Sequence, residues 1–225
     1  MGQWPRNGTK PFSRKQGTGQ VPVESKSSGH APAPPAEDPY MRAFIALELS
    51  PEIKAGLENL IRSLSPLTRD IRWVRPEGMH LTLKFLGEVS SERAALAVEA
   101  LRRVSSRHAP VSFTVAGSGW FPERSRRPRV IWAGVEAGPE LGALHKDIEG
   151  EMMSAGFPEE ARPFRPHLTL GRVNSPANMD NLLDGLKKSA ASLFGCATAG
   201  EIIFFESRLL PGGAVYAVLE RFPLP

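Results

Sequence analysis

Two short peptides carry the side chains best suited to chemistry, His80-Leu81-Thr82-Leu83 and His167-Leu168-Thr169-Leu170. The 225 residues include five histidines and seven threonines. Chance would place Thr two positions after a given His only about 3% of the time, so two such pairs form a pattern. Alternation along a strand sets His80 and Thr82 on one face and Leu81, Leu83 and Phe85 on the other. It likewise sets His167 and Thr169 opposite Leu168 and Leu170. Strands lying side by side would bring two imidazoles and two hydroxyls into one pocket. Imidazole, with an ordinary pKa near ~6.5, exchanges protons at neutral pH. A neutral and a protonated imidazole together supply the base and the acid that in-line displacement at phosphorus requires. The hydroxyls can donate to the non-bridging oxygens and stabilise charge without a metal or other cofactor. The acidic ligands of a metallohydrolase are absent from both strands.

Other residues could assist. Arg172 lies five places after His167 and could meet a phosphate, but strict alternation turns it away from His167. Either the strand ends near Gly171 or Arg172 is structural. Lys84 shares the face of His80 and Thr82, where its charge would favour an anion unless it sits at the rim. Arg126, Arg127 and Arg129, with Arg162 and Arg165, could contact an RNA backbone or simply line solvated loops. Phe44, Trp73, Trp120, Phe121 and Trp132 lie near the motif strands, and one or two could stack a base, although core packing explains each of them as well. His108 and His145 have no threonine partner, and Cys196 reads as a small buried residue.

These side chains must be positioned by alternating strands and helices. Arg42 to Leu49 reads as a strand running into a helix with Ser50 at the N-cap and Pro51 at the first helical position. Ile53, Leu57, Leu60, Ile61 and Leu64 continue it as one apolar stripe. Gly138-Pro139 and Ser175-Pro176 announce two more helices, and a fourth spans about Ser91 to Val104. Further strands are expected at Ile71 to Arg75, His80 to Leu86, Val111 to Ala116, Val130 to Val135, His167 to Val173, Glu201 to Glu206 and Ala214 to Glu220. Eight strands and four helices in mixed order make an α+β chain. The order also repeats: strand, helix and a Pro-containing loop precede each HLTL, which predicts two pseudo-symmetric halves with a cleft between them.

Residues 1 to 40 differ from the rest, with seven prolines and five glycines, and read as a disordered tail before a folded domain spanning 41 to 225. The net charge of +4 divides evenly between the two parts, too little to identify a polyanion partner. The single cysteine excludes a disulfide framework and favours a reducing, cytoplasmic setting. No stretch approaches the roughly 18 apolar residues of a membrane span.

The segments MRAFIALEL, IRWVRPEGMHLTLKFLGEV, RRPRVIWAGV, RPFRPHLTLGRV and SRLLPGGAVYAVLERFPL occur in that order. They resemble the RNA 2′,3′-cyclic phosphodiesterase family, also called 2′-5′ RNA ligases, within the 2H phosphoesterase superfamily. The resemblance runs from Met41 to the C-terminus. It implies a bilobed fold with two antiparallel β-sheets lining a central cleft and helices on the outer faces. It also implies metal-free hydrolysis of a 2′,3′-cyclic phosphate end of RNA or an oligonucleotide to a 2′-phosphate; the chain is expected to act as a monomer. By position, His80 would be the proton donor to the leaving 3′ oxygen and His167 the proton acceptor from water. Thr82, Thr169 and Arg172 would hold the phosphate. The residues alone do not assign acid and base, since a near-symmetric pair serves either way. Ligation through a 2′-5′ linkage, the reverse reaction, and a non-catalytic RNA-end-binding module are the alternatives.

Overall fold

The structure, a computed structural model, describes residues 40–123, 125–175, 179–210 and 213–225. Among them are nine strands and four α-helices. In chain order these are β1 (Met41–Glu48), α1 (Pro51–Leu64), β2 (Ile71–Trp73), β3 (His80–Val89), α2 (Ser91–Ser105), β4 (Val111–Phe121), β5 (Val130–Ala137), α3 (Pro139–Ser154), β6 (His167–Val173), α4 (Asp180–Lys188), β7 (Leu193–Ala199), β8 (Glu201–Leu210) and β9 (Gly213–Pro223). The α+β expectation holds, with one strand more than predicted: β7, whose LFGCATA sequence has no strong alternation and Thr198 as its single β-branched residue. The predicted tail falls on residues that, except for Tyr40, lie outside the described ones. No described helix is long and apolar enough to cross a membrane.

Helix starts follow local chemistry. The Ser50 hydroxyl accepts the Ile53 N–H with Pro51 at the first position, and Ser90 accepts the Arg93 N–H at the start of α2. Helix α3 begins at Pro139 as predicted. It ends where Gly156, at φ +84°, takes the left-handed conformation that glycine adopts without steric cost. Helix α4 begins at Asp180 instead of Pro176, which lies outside the described residues. The expected stripes are the buried ones: Ile53, Leu57, Leu60 and Leu64 on α1, Leu141, Leu144, Ile148 and Met152 on α3.

All strand pairs are antiparallel. One sheet has the order β3-β1-β8-β9 and the other β2-β6-β5-β4-β7. The two orders match when β3, β1, β8 and β9 are laid over β6, β5, β4 and β7, leaving β2 as an added edge. Each motif strand thus pairs with the strand that precedes its helix, as the repeat predicts. The strand that follows each half is exchanged: β4 completes the second sheet and β8 the first. One face of each sheet packs on helices. Ala43, Ile45 and Leu47 of β1 and Ile131, Ala133 and Val135 of β5 belong to that core. The motif strands β3 and β6 come within 8 Å of each other, Cα to Cα, without hydrogen-bonded pairing. Their unpacked faces form the walls of the cleft.

Candidate active site

Both motif strands share a device that alternation alone does not reveal. In β3, Thr82 pairs with Ala46 and Lys84 with Ile45, so Leu83 is an extra residue. In β6, Thr169 pairs with Trp132 and Gly171 with Ile131, so Leu170 is the extra one. These are β-bulges at the same place in the two copies, three residues after the histidine. Each reverses the facing of the residues that immediately follow it, Lys84 and Phe85 in β3 and Gly171 and Arg172 in β6. The bulged Leu170 carbonyl is satisfied by the Val74 N–H at 2.8 Å. Gly171 fits because a Cβ there would stand 2.7 Å from Ile71 Cγ2.

The reversal resolves one expectation and corrects another. Arg172 faces the cleft: it pairs with Val130, is exposed, and lies close enough to Tyr216 to offset part of the rise that burial gives that phenol's pKa. Lys84 does not share the face of His80. It turns inward and is only 5% exposed, because the bulge carries it to the helix side. Phe85, expected opposite His80, takes its place on the cleft wall. It is 65% exposed and 5.7 Å from the Phe44 ring, centroid to centroid.

The first wall is aromatic. The His80 imidazole stacks on Phe44 at 4.6 Å and lies 5.9 Å from Phe205, while Tyr216 meets its edge at 5.0 Å. Phe44, Ala46, Ile203 and Phe205 form a small buried cluster of their own beneath it. Stripping water from the ring disfavours its charged form, and the nearby Lys54 ammonium adds to this. Together they outweigh a backbone hydrogen bond with Gly78 and hold the His80 pKa down at about 4. Lys54, in the first turn of α1, was missed by sequence reasoning. A cation at a helix N-terminus opposes the macrodipole, and that local misfit was the available signal.

The second wall is mainly polar. His167 and Thr169 face the cleft with Gly134 and Trp132 directly opposite on β5. The same face runs on through Thr114 of β4 to Cys196 of β7, whose Oγ1 and Sγ are 3.3 Å apart. Cys196 is exposed, contrary to expectation, because it points to this open face while its neighbours Ala197 and Ala199 meet the core. The His167 ring meets Phe121 edge-on at 5.2 Å, and Phe121 lies over Trp132 at 5.4 Å. Trp132 in turn lies across Gly119, where a Cβ would be 2.4 Å from the indole. His167 Nδ1 is 2.7 Å from the Arg165 carbonyl. A carbonyl only accepts, so Nδ1 carries the proton and Nε2 of the neutral ring is left as an acceptor. The backbone partners of the two histidines, Gly78 and Arg165, stand two residues before each ring.

Among the remaining expected residues, Thr82 and Thr169 are half-buried beside their histidines. Arg126, Arg162 and Arg165 are paired with Asp180, Glu160 and Glu123, whereas Arg127, Arg129 and Arg172 have no ion-pair partner among the described residues. Trp73 packs against the core, and Trp120 does so while donating to the Ser125 carbonyl at 2.8 Å. His108 contacts Asp147 at 2.9 Å, and His145 stacks on Phe164. No group of three or more His, Cys, Asp or Glu residues with metal-holding geometry occurs among the described residues.

The sequence matches the model of the LigT like phosphoesterase family over residues 47–132 and 135–216. A Methanothermobacter thermautotrophicus protein named RNA 2′,3′-cyclic phosphodiesterase is 30% identical over 184 residues, covering 82% of this chain and 99% of that relative. A Thermotoga maritima protein of the same name is 34% identical over 180 residues, covering 80% and 93%. A crystal structure of a Thermus thermophilus protein superposes with a TM-score of 0.70 at 31% identity, covering 82% of this chain and 98% of that one. The fold is shared as well with E. coli LigT, at a TM-score of 0.69 and 24% identity over 83% of this chain and 99% of that one.

Proposed function

The chain belongs to the LigT like phosphoesterase family of 2H phosphoesterases, and on that premise we propose that it hydrolyses 2′,3′-cyclic phosphate ends of RNA to 2′-phosphates. The observation that carries the reading is a His-Thr pair on each of two strands in equivalent places of the two sheets, His80 and Thr82 on β3 and His167 and Thr169 on β6, strands that come within 8 Å of each other. The names of the relatives, RNA 2′,3′-cyclic phosphodiesterase, supply the substrate class.

The chemistry follows from the two environments. His167, with Nδ1 committed to the Arg165 carbonyl, takes a proton from water through Nε2. The water oxygen bonds to phosphorus, the bond from phosphorus to O3′ breaks, and His80 delivers a proton to the departing oxygen. The threonine hydroxyls donate to the non-bridging oxygens as charge accumulates, and no metal is required. In the empty cleft His80 is neutral at pH 7, since its pKa is held at about 4. The anionic substrate reverses that balance: a phosphodiester charge beside the ring favours the imidazolium, so the catalytic proton is taken up with the substrate. Lys54 and Arg172 draw the anion in. The terminal base rests on the exposed Phe85 ring at the aromatic wall.

An oligonucleotide ending in a 2′,3′-cyclic phosphate, incubated with the full chain in excess EDTA, tests the reading. A 2′-phosphate product supports it. A 3′-phosphate would reverse the assignment of the leaving oxygen, and abolition of turnover by EDTA would overturn the metal-free mechanism.

A further inference from the structure

Lys84 is the only charged residue that is buried among the described residues. Its ammonium donates to Glu149 Oε2 on α3 at 2.6 Å and to the Pro158 carbonyl at 2.9 Å. The same Glu149 oxygen accepts the Glu160 N–H at 3.3 Å. One helical turn earlier on α3, the His145 ring stacks on Phe164 at 3.8 Å with 13° between the planes. The irregular segment from Phe157 to Pro166 is therefore held at two points by α3, and at the first of them by β3 as well. Just beyond the second point stands Arg165, whose carbonyl is 2.7 Å from His167 Nδ1. An unbroken run of contacts leads from the strand bearing His80 to the ring of His167.

We propose that the Lys84–Glu149 pair, its lysine buried and its carboxylate only 13% exposed, acting with the His145–Phe164 stack, is a positioning clamp that fixes the His167 segment against the His80 strand. The physical ground is that a buried ion pair is a poor source of stability: apolar residues of similar volume commonly replace one without loss of stability. What the pair supplies is direction, because an ammonium between a carboxylate and a carbonyl allows one arrangement where methylenes allow several. Placement matters here because the acid and the base must meet one phosphorus from two sheets that share no backbone hydrogen bonds. This inference rests on the two-histidine reaction proposed above, which uses none of these four residues.

The test is the double variant Lys84→Met/Glu149→Leu in the full chain, measured with the wild type on a 2′,3′-cyclic-phosphate oligonucleotide. A clamp predicts a folded protein with KM within about twofold and kcat lower by about 10²-fold, the loss that follows from roughly 1 Å of misplacement. A retained kcat in that variant overturns the proposal. Glu149→Gln keeps an acceptor for Lys84, and kcat within about threefold of wild type is expected. A loss there as large as in the double variant would mean that charge matters rather than position. Should the double variant fail to fold, Phe164→Leu removes only the stack and should lower kcat by roughly tenfold at constant KM, and an unchanged kcat overturns the clamp. NMR signals of the His167 ring provide a readout independent of turnover. They should shift in whichever of these two variants folds, the double or Phe164→Leu, and unchanged signals overturn the clamp. Absence of turnover in the wild type would defeat the proposed reaction, while the ring signals would still decide the clamp.

Discussion

Replacing His80 by phenylalanine and following stability as the pH falls tests the aromatic setting of the first histidine. An unfolded histidine takes up its proton near ~6.5, whereas His80 in the folded protein does so only at about 4. Between those values the unfolded state binds more protons, so stability is intact above pH 6.5 and declines as the pH drops toward 4. The gap of about 2.5 pH units corresponds to roughly 3 kcal/mol, of which about 2 should be lost by pH 5 and nearly all by pH 4. A phenylalanine ring keeps the contact with Phe44 and Phe205 but cannot titrate. Urea unfolding of both proteins at pH 7, 6, 5 and 4 should therefore show the wild type losing about 3 kcal/mol relative to His80→Phe. Asp147, Glu151 and Glu160, whose pKa values are also lowered, weaken both proteins in acid equally and cancel in the comparison. A difference that stays constant across this range would refute the claim that burial among aromatic rings holds His80 neutral.

Single changes of His80 or His167 to Ala should each reduce kcat for cyclic-phosphate opening by roughly 10² to 10⁴-fold; near wild-type turnover in either would sink the paired acid and base mechanism. Arg172→Met should raise KM about tenfold with little effect on folding, as expected for losing a charge-assisted contact to phosphate, and an unchanged KM would return Arg172 to a structural role. Phe85→Ala, at an exposed position, should leave stability within about 0.5 kcal/mol but weaken binding of cyclic nucleotides roughly tenfold through lost stacking, as measured by calorimetry on the His167→Ala background. Gly119→Ala pushes a Cβ into the Trp132 indole and should cost about 1 to 3 kcal/mol in urea unfolding. Stability equal to wild type would contradict the flat packing of that ring.

Much of this arrangement was legible in the chain itself. Ser50-Pro51 and Gly138-Pro139 mark real helix starts because capping is a local interaction. The doubled HLTL marked the candidate faces because pleating is local too: each histidine and its threonine are half-buried between buried leucines. The bulges were not legible, since Leu83 and Leu170 remain buried whichever way the following residues turn, and only pairing with β1 and β5 shows which residue is extra. Lys84 and Phe85 were assigned to the wrong faces for that reason. The inequality of the histidines was hidden as well: the two tetrapeptides are identical, and the aromatic wall around His80 draws in Phe205 and Tyr216, more than a hundred residues away in sequence. Strand β7 escaped notice because partnership with β4, rather than its own composition, holds it extended.

The exchange of strands between the halves has a consequence for how the protein is made. Ala43 pairs with Glu206, and closing so long a loop is slow. A chain that has emerged from the ribosome only as far as β4 holds β2 and β4 without the neighbours they need, since those are β6, β5 and β7. The first sheet still lacks β8 and β9 at that stage. Neither half can finish a wall alone, so two fragments separated after β4 would each wait for the other and should regain a cleft only when mixed. The duplication that gives the site its symmetry has thereby made the repeats interdependent, and the pocket forms only once the last strands are released.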